Sequence, residues 1–483
     1  MKRKDLRKLI IVVSLVTALA VVVPLMSGCL GAPAAAPAAP PAAAPPAEAP
    51  PVAPPEVPKV VTAKIGFLAP LTGPVAGWGL PGFYGDEIWV EHFNAKGGIT
   101  LSDGTQVLVE LVPYDNEYVS EKAISGAKKM VLEDEVVMIE FLGGLDAVAA
   151  VPWTTEQFML TTTLLPSDLT PLTLYHVAPV ELHPMHNTAF THWVFTNLHK
   201  FRPDLTEDGV ITLAMTQQDD ELGRGTAGMV RGIADKLDVK VVYDEFFDIE
   251  TIDFAPVVSA MMATDPDIMH WGAAYPDFVI LLMEQAYLQG YEGQLTGCVF
   301  DYPERIIERT SLEFVEDFVW SFPTFDDPAL TPSPSPWTLV PPIVFWDEYQ
   351  EKYPGTWSAV SWEYQAILDE WVQAVLYADS IDPMDVFRAW KTMPTTYHPY
   401  GEGTWWGRPL WGIDNALMSP WTVTQMVEGE SRIQEFIHLL DMWEEYKDEL
   451  ILWNEEYDMM WYQRLGIPKE TAIEMYGLEE EYK

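Results

Sequence analysis

Ile65–Gly79 reads IGFLAPLTGPVAGWG and runs on to Asn94-Ala-Lys-Gly-Gly-Ile99. The apolar run from Ile65 to Leu68 predicts a buried strand. Pro70, Gly73, Pro74, Gly77 and Gly79 end it in a loop. The amphipathic stretch from Pro81 to Asn94 predicts a helix. Strand, glycine-rich turn and helix open an α/β sheet. Ligands of such sheets sit beyond the carboxyl ends of the strands, where backbone N–H groups and helix N-termini face a crevice.

The alternation continues along the chain. Strands are expected at Val107 to Val112, Val136 to Leu142 and Phe158 to Thr163, with a helix at Ser120 to Glu133. A second α/β set follows: strands at Val210 to Met215, Val239 to Glu245 and Asp267 to Gly272, and helices after Gly223-Arg-Gly225, over Asp253 to Met262 and through Gln285-Ala286 to Gly290. Strand and helix in alternation argue for parallel sheets with right-handed crossovers. Residues 323 to 345 are Pro-rich and read as irregular. Helices are expected at Pro342 to Lys352, Trp357 to Ser380 and Pro383 to Thr392, and a short hairpin at Glu428-Gly-Glu430. Residues 432 to 483 read as mostly helical. Fourteen of the nineteen tryptophans lie after residue 319, so that region is read as core filler at helical spacing, Trp362 and Trp371 included, or as an exposed docking surface.

Pro70-Leu-Thr-Gly73, Ala76, Gly79 and Asn94-Ala-Lys-Gly-Gly-Ile99 together resemble the opening of the type I periplasmic binding proteins, in their leucine/isoleucine/valine-binding branch. The stretch from Asp267 through Tyr275-Pro-Asp-Phe278 and Gln285-Ala286 to Gly290 resembles a second motif of that family, and Arg408 to Trp421 its final segment. The resemblance covers roughly residues 62 to 430. It implies a two-lobed α/β fold, each lobe a mostly parallel sheet flanked by helices, joined by hinge crossovers. The lobes would comprise residues 60–180 with 324–414, and 181–323 with 415–431, followed by a C-terminal extension over 432–483.

The resemblance also implies a ligand between the lobes. Mapped onto this sequence, the contacts are Trp78 after the first strand, Gly144 and Asp146 in Gly143-Gly-Leu-Asp-Ala147, and Thr163 and Leu165 in the next loop. In the second lobe they are Gln217, Tyr275 and Asp301, with Asp219 at the cleft and Trp271 behind Tyr275. Asp146 stands where the family has a hydroxyl for the ligand's carboxylate, and Leu164 and Leu165 supply no donor. A carboxylate ligand facing Asp146 is repelled unless that acid is protonated or turned away. A neutral, aromatic or cationic small molecule is therefore expected over a plain amino acid.

The N-terminus reads as an export signal. Residues 1 to 8 are basic, residues 9 to 26 almost wholly apolar, and Leu25-Met-Ser-Gly-Cys29 resembles a bacterial lipobox, with Met26 a departure from it. Residues 1–28 would be a signal peptide and Cys29 the lipidated residue; an uncleaved apolar anchor is the alternative. The Ala/Pro stretch to residue 58 cannot pack a core and reads as an extended tether. After Cys29, 23 basic residues face 71 acidic ones. That surface repels nucleic acid and anionic lipid. Cys298 has no partner for a disulfide in the folded part and is expected to be a small buried hydrophobe.

No G-x-S-x-G, H-E-x-x-H or P-loop occurs. His183-Pro-Met-His186, His192 and His199 read as surface histidines rather than a metal site, because no cysteine or paired carboxylate accompanies them in sequence. No cofactor, metal or catalytic residue is expected. The expected function is an extracytoplasmic solute-binding lipoprotein, monomeric, that delivers a small molecule to an ABC permease. Its rivals are a sensor of the same fold, an exported enzyme using Asp146 and Asp301 as acid and base, and a structural or adhesive surface protein.

Overall fold

The computed structural model describes residues 59–477 other than Pro74, Glu181, Leu182 and Asp208. The expected signal peptide, the lipidation of Cys29 and the Ala/Pro tether lie outside the described residues.

Strand β1 (Val60–Ala69) has a C-terminal half that is buried throughout. An apolar run of that kind belongs in the centre of a parallel sheet, covered on both faces. It pairs in parallel with β3 (Gln106–Asp115) on one side and β4 (Met138–Phe141) on the other, with Ile65 opposite both Leu111 and Met138. With β2 (Ile99–Thr100), β5 (Thr161–Thr162) and β6 (His176–Val177) the order is β2-β3-β1-β4-β5-β6. The chain thus turns to one side of β1 and then to the other, which opens a crevice at the carboxyl ends of β1 and β4.

The second sheet repeats this. Strand β7 (Thr212–Gln218) lies between β8 (Lys240–Phe247) and β9 (Ile268–His270), followed outward by β10 (Gln294–Thr296), β11 (Val319–Trp320), β15 (Pro420–Val427) and β16 (Glu430–His438). The pairs from β8 to β11 are parallel, and β15 and β16 are antiparallel additions. The carboxyl ends of β7 and β9 form its crevice. A three-stranded sheet, β12 (Thr396–His398), β13 (Gly401–Trp406) and β14 (Ala416–Met418), completes the strands. The chain passes between the two large sheets after β6, after β11 and after β14. The crossings meet: the Ala178 carbonyl accepts from Leu417 N–H at 2.9 Å, and Thr422 Oγ1 donates to the Ser321 carbonyl.

Helices cover the sheets. The opening helix, Ala76–Ala95, starts five residues before its expected beginning and packs against Val360–Ala378. Gly85 permits that approach, since a Cβ there would sit 1.7 Å from the Ser361 carbonyl oxygen. Trp362 and Trp371 are fully buried, as expected of core filler.

Residues 432–438 depart from expectation. They form most of β16, paired with β15 through a turn in which Glu428 and Gly429 both have positive φ. That is the turn form whose twist suits a hairpin. The C-terminal helix Leu439–Glu456 then lies along Glu221–Lys236. Gly232 meets Leu450 there, and the Arg231 guanidinium stacks 3.9 Å from the Trp453 ring centre. Beyond it, Trp461–Arg464 reaches the loop that follows β5: Arg464 donates to the Ser167 and Leu169 carbonyls.

Candidate functional site

The two crevices face each other, and most of the expected contact residues lie along them. Trp78 comes from the first turn of Ala76–Ala95, just beyond β1. Its indole N–H donates to Asp301 Oδ2 at 2.9 Å, and its ring meets that of Tyr275 edge-on at 5.1 Å. Asp301, beyond β10, also accepts from Ala359 N–H at 2.9 Å. Tyr302 donates from its hydroxyl to the Gly77 carbonyl at 2.7 Å. Groups that follow strands of both sheets are thus joined directly, and the cleft is closed around them.

Tyr275 leads into the helix Pro276–Leu288 and donates to Asp220 Oδ2 at 2.8 Å. Asp220 caps Glu221–Lys236, its other oxygen accepting from Gly223 N–H at 2.8 Å. Gln217, near the end of β7, is 1% exposed and packs against Gly272; its Oε1 makes no hydrogen bond. Trp271 donates to Met283 Sδ behind the site. Asp219 pairs with Arg224 at 2.8 Å at the mouth, beside a recess of ≈ 340 Å³ that Tyr457, Met459 and Arg464 also line.

The first-sheet loops hold a correction. Asp146 is bonded within its own lobe rather than free to meet a ligand's carboxylate. It is fully buried, accepts from Asn116 Nδ2 at 2.9 Å, and takes the N–H groups of Gly143 at 3.0 Å and Ala147 at 2.7 Å. The carboxylate near the helix start is satisfied by backbone donors, and the same turn directs it into the lobe. Burial pushes its carboxyl up to about 7, against the pull of Asn116 and the two N–H groups.

Asp168 takes the place expected for a bound carboxylate. Both its oxygens accept from Gly144 N–H, at 2.9 and 3.1 Å, and Oδ2 also accepts from Thr163 Oγ1 at 2.9 Å. Gly144 and Thr163, the two expected donors of this lobe, are thus spent on a carboxylate of the chain itself. Burial raises the Asp168 carboxyl well above its ordinary range, while the Gly144 bond lowers it and Glu221 adds to the rise. Asp220 and Asp301 are raised by burial too. Gly144 has a φ of +74°, and a Cβ there would stand 2.4 Å from Tyr118 Oη. Leu165 packs against Gly143 and Gly144 as an apolar wall. Trp78, Tyr118 and Tyr275 supply aromatic walls. Sequence reading missed Asp168, Asp220, Tyr118 and Arg464. Asp220 alone had a signal, as an acid one residue before a helix containing Gly223.

The histidines require a second correction. His183 and His186 are 2% and 0% exposed, and Cys298 lies against both. They are not on a helix surface, and a cysteine does accompany them in space. His192 is partly buried, with Nδ1 2.6 Å from the Tyr446 hydroxyl; His199 is exposed as expected. Cys298 is buried, as expected.

Among the described residues no helix is long and apolar enough to cross a membrane.

The sequence matches the periplasmic binding protein family over residues 62–431, and the chain belongs to that family. Its members bind solutes outside the cytoplasm and are not enzymes, so an acid–base role for Asp146 and Asp301 falls away. Solved structures carry the same fold. A leucine-binding protein from Thermotoga maritima is 18% identical with a TM-score of 0.60, covering 78% of this chain and 99% of its own. A branched-chain amino acid transporter substrate-binding protein from Streptococcus pneumoniae, in complex with isoleucine, is 18% identical with a TM-score of 0.58, covering 78% and 100%. An ABC-transporter solute-binding protein from Rhodopseudomonas palustris, in complex with 4-hydroxybenzoate, is 16% identical with a TM-score of 0.59, covering 78% and 96%. No curated protein matches the chain.

Proposed function

We propose that this protein is the solute-binding component of an ABC importer and that its ligand is a small amine without a carboxylate, held between aromatic side chains. One observation carries the ligand class. Gly144 N–H and Thr163 Oγ1, the donors that would receive a ligand's carboxylate, already serve Asp168. Asp168, Asp220 and Asp301 give the cleft an acidic lining, and Trp78, Tyr118 and Tyr275 offer ring faces over which a cation is favoured. The neighbours bound to isoleucine and 4-hydroxybenzoate support the use of this cleft, while both those ligands carry the carboxylate that this chain supplies for itself.

Ligand contacts from both lobes favour closure by their differential affinity for the closed state. The closed protein then docks on a membrane permease, working as a monomer. Cys29 is the lipid attachment point, and the Ala/Pro stretch is the tether. Cys29→Ala is expected to move the chain from the membrane fraction to the soluble one; retention of the variant on the membrane would favour an apolar anchor. The ligand class is tested by pairs of compounds that differ only in a carboxylate.

A further inference from the structure

His183, His186 and Cys298 converge at the hinge. His183 and His186 stand in the first crossing, where the chain has left β6 and enters the helix His186–Phe201; Cys298 follows β10. His186 Nε2 lies 3.1 Å from Cys298 Sγ. His183 presents Nδ1 at 3.7 Å and Nε2 at 3.6 Å from the same sulfur. One ligand atom from each residue falls within 4.8 Å of the other two. The surroundings are apolar: the rings of Phe322, from the second crossing, and Trp421, from the third, stand 5.2 and 5.1 Å from the His186 ring.

Asn187 Nδ2, 3.3 Å from His183 Nδ1, favours the tautomer with its lone pair on Nδ1, and keeps a 2.9 Å bond to the Pro184 carbonyl. His186 Nε2 and Cys298 Sγ are within hydrogen-bond distance, and the metal would take the place of the proton between them. Metal–sulfur and metal–nitrogen bonds of about 2.3 and 2.0 Å, at a trigonal angle, set sulfur and nitrogen roughly 3.7 Å apart. His183 already has that spacing, and His186 needs to withdraw by about half an ångström.

We infer that His183, His186 and Cys298 form a buried three-coordinate site for a soft monovalent cation with the chemistry of Cu(I). Softness and charge select it. Thiolate sulfur prefers soft ions, and imidazole accompanies it in copper sites. One thiolate and one monovalent cation, with two neutral imidazoles, make a complex of zero net charge. A divalent ion would leave one positive charge on the complex, and among the described residues no carboxylate belongs to this cluster to offset it. Binding exchanges the S–H bond for a sulfur–metal bond and releases the thiol proton to solvent, with no change of oxidation state. The bound ion ties the first crossing to the loop after β10, so loading also raises thermal stability by mass action.

The test is an anaerobic titration of the full chain with Cu(I) against a chromogenic chelator. The wild type is expected to hold one equivalent that Cys298→Ser loses; Cys29 is common to both, so the difference belongs to Cys298. X-ray absorption at the copper edge of the loaded wild type requires no variant and is expected to report one sulfur and two nitrogen neighbours. Absence of a Cys298-dependent equivalent, or a copper shell without sulfur, would overturn the site. Retention of Zn(II) in preference to Cu(I) would overturn the monovalent assignment.

Discussion

Asp168 decides the chemistry of the first lobe. A carboxylate that accepts one N–H with both oxygens and a hydroxyl with one of them is held by charge-assisted bonds, each contributing about 1.5–3 kcal/mol when the acid is ionised. Burial opposes that ionisation, and a ligand cation placed against it would reverse the balance. Asp168→Asn keeps the shape and removes the charge. It is expected to weaken amine binding by a factor of about ten or more, which is about 1.4 kcal/mol, measured by calorimetry; unchanged affinity would remove Asp168 from the site. Gly144 and Thr163 were singled out in sequence because the resemblance puts the family's contacts in loops after strands. Asp168 was not, because Pro166-Ser-Asp168 is a short turn without periodicity and its contact to Gly144 spans 24 residues. Asp146 was misread because a side chain's direction at a helix start depends on which backbone donors reach it, and spacing does not encode that.

The elements were more legible than the contacts they bring together. Apolar runs located β1, β4, β7 and β9, whose residues are largely buried by the helices on either side; β3 and β8, only partly buried, were located as well. Strand β16 was read as helix: Glu430–His438 is half exposed at a sheet edge and mixes Arg432 and Glu435 with Ile433 and Ile437, so its alternation is weak. The arm beyond it is anchored at both ends. Leu439–Glu456 lies on the second lobe's helix Glu221–Lys236, and Arg464 reaches the Ser167 and Leu169 carbonyls after β5. Arg464→Ala is expected to speed hydrogen exchange in residues 461–476 and 166–169 while leaving β15 and β16 protected. Equal protection in wild type and variant would show that other contacts hold the arm.

At the scale of the whole molecule, buried acids set the response to pH. Burial lifts Asp86, beside Glu140, to about 8, and Asp146 and Asp369 to about 7. The same groups ionise near 3.9 in an unfolded chain. Between about pH 6.5 and 8 these acids make the folded state bind more protons, so stability falls as pH rises; below that, the buried His176, His270 and His398, pushed down to about 3, act in the opposite sense. Asp115 and Glu348, which are lowered, act only below that window. Thermal melting is expected to occur at a higher temperature at pH 7 than at pH 8.5, with a flatter dependence in Asp86→Asn. A melting temperature that rises across this range would contradict the burial of these acids.

On the proposed reading, Asp168 fills the place where a ligand's carboxylate would bind. The most direct measurement is binding of the full-length chain to matched ligands: tyramine against tyrosine, and isoamylamine against leucine, with 4-hydroxybenzoate as the aromatic acid. Saturable stabilisation by an amine is expected, about 2.7 kcal/mol at a hundredfold excess over its dissociation constant, and none by the acids. Tight binding of leucine or 4-hydroxybenzoate, undiminished by added amine, would contradict it.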